Sequence, residues 1–169
     1  MKNKILIAAV AVIGLASVAY AAFSQVLTIN GTGTATGSWD VKITAIALQS
    51  STGTTNASAP TYNATSATFS TNLQYPGATA TYRVTVTNNG TIPAKLGTID
   101  GLATANAASP TYITYAIAGV TANTTTLAAN GGTNTIDVTV TWDSASSPST
   151  VGETKTATLD FNYAQDTTP

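Results

Sequence analysis

The side chains able to carry chemistry in this chain are few: seven carboxylates, six basic groups, two tryptophans and no His or Cys among 169 residues. Without His or Cys the usual zinc, haem, iron–sulfur and copper sites cannot be assembled, nor can a Ser-His-Asp or Cys-His nucleophile. Asp40, Asp100, Asp137, Asp143, Asp160 and Asp166 would be the oxygen donors for calcium, but they are scattered and form no D-x-D-x-D-G loop. The same sparse set would have to supply the paired carboxylates of a glycoside hydrolase, and no spacing selects a pair. Lys42 and Asn162 are the obvious partners for an intramolecular isopeptide bond, a reaction that needs a dry core to lower the lysine pKa. Trp39 and Trp142 could stack on a sugar, yet each falls on an apolar face and reads first as core. No catalytic residue, cofactor or metal is expected, and the chain reads as a non-enzyme.

Charged residues make up only 8% of the sequence, against an average near 25%. That excludes nucleic-acid binding, since little is present to neutralise phosphates. A net charge of −1 leaves no polybasic membrane patch. The chain is nevertheless 43% apolar, with 35 Thr, 29 Ala, 13 Ser and 12 Asn, and its Val, Ile, Leu and aromatic residues recur in order. It is a folded chain with a bland surface.

The elements that must position these residues are strands. In TNTIDVTVTWD, residues 133–143, Ile136, Val138, Val140 and Trp142 alternate with Asp137, Thr139, Thr141 and Asp143, the period of a half-buried strand. The same alternation gathers Trp39, Val41 and Ile43; Ala80, Tyr82, Val84 and Val86; Ile113, Tyr115 and Ile117; and Leu159, Phe161 and Tyr163. Period 2 puts Lys42 and Asn162 on the faces opposite to these, in solvent and away from an isopeptide reaction. Weaker strands are expected at 25–30, 65–70 and 92–99, with turn-formers at Pro76-Gly77, Asn88-Asn89-Gly90, Asn130-Gly131-Gly132 and Ser147-Pro148. Segment 50–61, SSTGTTNASAPT, reads as a flexible exposed loop. No window beyond the N-terminus carries a helical stripe with caps. Seven or eight strands with one polar face predict an all-β fold, an antiparallel β-sandwich of jelly-roll or immunoglobulin-like type.

The N-terminus predicts an export-signal helix. Lys2 and Lys4 precede an uncharged run at 5–20, and Ala19-Tyr20-Ala21 offers an A-x-A cleavage site before Ala22. The competing readings are an uncleaved anchor and a type IV pilin leader. A run of about 16–18 residues only marginally spans a bilayer core, and the pilin leader's small residue and Glu are missing around residues 2–10. The expected organisation is a signal at 1–21, an N-terminal extension at 22–36 and a β-domain at 37–169, secreted and without membrane contact once cleaved.

Threonine suits the strands because it is β-branched, and suits their solvated faces through its hydroxyl. Charged edge residues that block strand-to-strand association are nearly missing. Residues Ala22–Thr36, AFSQVLTINGTGTAT, begin with Phe23, Val26, Leu27 and Ile29 and pass into a Gly/Thr stretch. They read either as an ordinary first strand or as a strand donated to another subunit's sheet edge. The sequons at Asn30, Asn56, Asn63, Asn89 and Asn123 would be glycan acceptors in an archaeal or eukaryotic host.

Ala22-Phe23-Ser24 at the mature start, GTATGSWDVKITAI at 33–46 and YPGATATYRVTVTNNGTIPAKLGTI at 75–99 together resemble the TasA/camelysin family of exported bacterial proteins and their archaeal relatives. The likeness covers roughly residues 22–100, and elsewhere only the strand pattern. It implies a jelly-roll domain and, as in matrix-forming members, fibres in which the mature N-terminal strand completes the neighbouring subunit. The partners would be copies of itself or paralogous subunits. This chain is shorter and far less charged than typical members, with a single Glu. Camelysin-type proteolysis would need a metal site that a His-free chain cannot supply in H-E-x-x-H form, so the structural role alone carries over. The alternative expectation is a monomeric cell-surface adhesion or glycan-binding module.

Overall fold

A computed structural model describes residues 28–146 and 153–167. The signal segment with Ala19 and Ala21, together with Ala22, Phe23, Val26 and Leu27 of the extension, lies outside the described residues. The chain divides into two units, Met1–Ala35 and Thr36–Pro169. In the first, Thr28–Ala35 carry no regular secondary structure, and Ile29 is 87% exposed. The strand expected at 25–30 is thus not formed over its described part.

The second unit is all-β with antiparallel sheets. Its elements are β1 (Val41–Thr52), β2 (Thr54–Tyr62), β3 (Ala67–Leu73), β4 (Thr79–Asn88), β5 (Ala94–Asp100), α1 (Leu102–Ala107), β6 (Ile113–Ala118), β7 (Thr126–Leu127), β8 (Gly132–Trp142) and β9 (Asp160–Gln165). They form a four-stranded sheet in the order β1-β4-β8-β6, a three-stranded sheet β7-β5-β9 and a hairpin β2-β3. β4 and β8 pair without a bulge from Thr79↔Thr141 to Asn88↔Gly132. Their alternating sequences turn Tyr82, Val84, Val86, Ile136, Val138 and Val140 inward, all buried. Each such aliphatic side chain contributes about 1.5–3 kcal/mol on burial. Ala94 of β5 and Leu127 of β7 complete one buried cluster with Val84, Val86, Ile136 and Val138, while Tyr82 and Val140 join Ala80 and Ile113 in a second; Phe69 of β3 packs on both and Phe161 of β9 on the first.

The outward face of this pair is the threonine face expected from the sequence. Thr81 and Thr139 hydrogen-bond at 2.8 Å, Thr79 and Thr141 at 3.2 Å, and Thr44 of β1 reaches Thr87 at 2.8 Å. Cross-strand hydroxyl pairs of this kind knit a sheet face without charge.

Three expectations are corrected. Residues 50–61 are not a loop: they finish β1, turn at Gly53 and form β2. This strand has no alternating apolar row, so its pairing with β3, rather than side-chain burial, makes it a strand. Asn63 closes the hairpin by accepting from the N–H groups of Thr65 and Ser66 at 2.9 and 2.8 Å. Second, α1 forms where no helix was expected, because six residues are too few for a stripe, and its Gly101 N-cap offers no side chain. Third, Trp39 is not core. It is 46% exposed, because the backbone of Ser38 and Asp40 is tied to the 89–91 turn ahead of β1. Val41, Ile43, Trp142, Leu159, Phe161 and Tyr163 are half-buried rather than enclosed.

Candidate functional site

The half-burial of those residues has a single cause, a cleft of about 1240 Å³ open above the core. Small-molecule pockets run to about 300–1,000 Å³, so this one has room for a larger guest. Its floor is the inner face of the four-stranded sheet, with Val84, Val86, Ile136, Val138 and Val140. β3 forms one wall, where Phe69 stacks on Tyr82 with ring centroids 4.2 Å apart. Residues 153–163 form the other.

Both walls are strand edges. Among the described residues β3 is laddered only to β2, and β9 only to β5, so the sides facing the cleft have no ladder. The walls run in opposite directions. The Ile43 N–H donates to Ala64 at the start of β3, and the Gln74 N–H donates to Gly53 after its end, so β3 runs alongside β1 from the Asn88 end of the sheet. Lys155 reaches the Ile113 carbonyl, opposite Trp142, and Tyr163 hydrogen-bonds Asn134 at 3.2 Å, so the second wall runs back. A strand laid between them would be parallel to one wall and antiparallel to the other.

The second wall is strand-like beyond the start of β9. Lys155, Ala157, Leu159, Phe161 and Tyr163 turn inward in alternation, although residues 153–159 pair with no strand among the described residues. Side chains hold this stretch in place. Lys155 Nζ donates to the carbonyls of Ile113, Pro110 and Asn106, and the Tyr115 hydroxyl donates to the Lys155 carbonyl. The Tyr112 hydroxyl donates to Glu153. That bond raises the Tyr112 pKa above the ordinary phenol value, while burial raises those of Tyr115 and Tyr163 and lowers that of Lys155.

The opposite outer edge of the large sheet is closed. In β6 the Tyr115 N–H and C=O are taken by the Asn106 side chain, at 2.7 and 2.9 Å. An amide placed this way stands in for a neighbouring strand.

Trp39, Trp142, Lys42 and Asn162 also line the cleft, but at separate places along it. Trp39 precedes β1 at the Asn88 end and Trp142 closes β8 at the other, where its indole N–H donates to Ser146 at 2.7 Å. They share no sugar platform. Lys42 pairs with Asp40 at 2.9 Å, while Asn162, in another sheet, donates to Thr98 and Asp100. Among the described residues no three metal-ligating side chains gather. The sequence reading placed part of β3 at 65–70 but missed β2 and the clasp at Lys155; for the clasp, the period-2 row from Lys155 to Tyr163 was the available signal, masked by its charged first member. The chain matches no protein-family model, no curated protein and no solved structure.

Proposed function

We propose that this chain is an exported structural subunit that assembles into an extracellular surface or matrix filament by donor-strand addition. Its body is read as a β-sandwich of jelly-roll or immunoglobulin-like type, akin to the TasA/camelysin family, with one layer left a strand short. The missing strand is supplied by Phe23–Asn30 of the next copy. A single observation carries this reading: the cleft lies between two unladdered strand edges, over an apolar floor.

The donor fits that shape. In an extended segment Phe23, Leu27 and Ile29 fall on one face with Gln25, and Val26 on the other. The incoming backbone would gain main-chain hydrogen bonds along the walls, and its odd-numbered side chains would enter the core. Because donor and acceptor are different surfaces, the contact is head-to-tail and produces an open chain of subunits. Export follows from the Lys2/Lys4 start, the apolar run and the Ala19–Ala21 cleavage motif.

The competing reading, a monomeric adhesion or glycan-binding module, has less behind it, since Trp39 and Trp142 stand at opposite ends of the sheet. Electron microscopy of the exported chain separates the two. Filaments are expected from the chain beginning at Ala22, folded monomers from a chain lacking 22–31, and filaments of the full form blocked by excess free peptide 22–31. Monomers from the full form, or filaments from the deletion, overturn the proposal.

A further inference from the structure

We propose that Lys155 is a positioning residue that holds residues 153–159 extended as a pairing edge for the incoming strand. This rests on the donor-strand reading and deepens it, because it assigns the acceptor edge and the group that keeps it open for pairing.

An extended stretch without a ladder partner loses backbone freedom with no main-chain hydrogen bonds to offset the loss. Residues 154–159 have no ladder partner among the described residues, yet their side chains keep the in-and-out order of a strand. The described contacts that hold this stretch come chiefly from α1, the loop after it and β6. The Lys155 ammonium has three protons and three carbonyl acceptors: Ile113 at 2.7 Å, Pro110 at 3.1 Å and Asn106 at 3.3 Å. These belong to the start of β6, the loop before it and the end of α1, so one side chain ties the wall to three places in the fold. Tyr115 returns a bond to the Lys155 carbonyl at 2.9 Å. Three residues on, the Thr158 carbonyl lies so close to Gly101 that a Cβ there would sit 2.0 Å from it. The described holds come from α1, the loop after it, β6 and Gly101, and among the described residues no ladder joins the wall to β3.

With its protons given to carbonyls, the ammonium has none left to select a ligand. Its effect is conformational, since it fixes the wall before the partner arrives and so reduces the ordering that binding must impose.

The test uses the chain expressed with its leader and recovered from the medium, as wild type, Lys155→Met and Lys155→Arg. Filament growth is followed by light scattering, and backbone order by hydrogen exchange. Lys155→Met is expected to slow growth by about tenfold, the scale of one lost charge-assisted hydrogen bond. Amides at 153–159 should exchange faster while those of β4 and β8 keep their protection. Lys155→Arg, which retains charge and donors, should recover much of the rate. Growth of Lys155→Met at the wild-type rate overturns the proposal, as does loss of protection throughout β4 and β8, which would make Lys155 a general stabiliser. A wild-type chain that forms no filament overturns the donor-strand reading instead.

Discussion

Asn106 and Asn88 are polar residues whose placement decides which backbone groups stay open. Asn88 is fully buried, yet its amide nitrogen donates to Ile92 and its oxygen accepts from Gly90, so the turn after β4 is built around it. Asn106 closes the β6 edge in the same currency of amide to backbone. Against these neutral devices stands one bidentate ion pair on the outer face, with Arg83 Nε and Nη2 each 2.7 Å from an Asp137 carboxylate oxygen. Hydrogen bonding from Arg83 holds the Asp137 pKa below its ordinary value, outweighing the smaller opposing effect of burial. Folded Asp137 therefore binds a proton less readily than unfolded Asp137. Its contribution to stability is present above the ordinary carboxylate range and is lost as pH falls through the depressed folded-state value. Asp137→Asn should lower Tm near neutral pH, and the gap to wild type should narrow as the pH falls below the ordinary carboxylate range. Thermal melts across that range check this, and a constant gap would contradict it.

At the scale of elements, legibility in the sequence followed the contrast between faces. β4 and β8 alternate large apolar side chains with threonine, so spacing alone located them, and β6 and β9 were found in the same way. β2 was not, because its residues are small and polar on both faces and only pairing with β3 makes them a strand. Trp39 shows the opposite failure: its alternation with Val41 and Ile43 is real, but its neighbours Ser38 and Asp40 are tied to the 89–91 turn and the side chain stays largely exposed. The cleft itself was not legible, because an unladdered edge is a property of sheet order, which local spacing does not encode.

The junction of β5, α1 and the second wall depends on Gly101, whose φ of 86° is left-handed and whose missing side chain admits the Thr158 carbonyl. Gly101→Ala would combine a left-handed penalty of about 1–2 kcal/mol with displacement of that carbonyl. The expected outcome is a loss of about 2 kcal/mol or more in urea unfolding, with the fastest new proteolytic cleavage in 153–159. Unchanged stability would mean that the wall is not anchored there.

At the scale of the whole molecule, the scarcity of charge becomes a statement about forces. Six basic and seven acidic residues serve all 169 positions, and two of the pairs, Lys42–Asp40 and Arg83–Asp137, already neutralise each other. Donor-strand assembly of such a chain would be driven by main-chain hydrogen bonds and by apolar burial over Val84, Val86, Ile136 and Val138. Salt reaches neither directly: raising ionic strength from about 0.01 M to 1 M cuts the Debye length from about 30 Å to 3 Å, which matters only where charges steer. Filament growth should therefore change by no more than about twofold across that series in sodium chloride, and should quicken in sulfate, which strengthens apolar burial by exclusion from the surface. A steep fall in growth with sodium chloride would show that charged patches hold the subunits together, and would remove the cleft from its place as the acceptor.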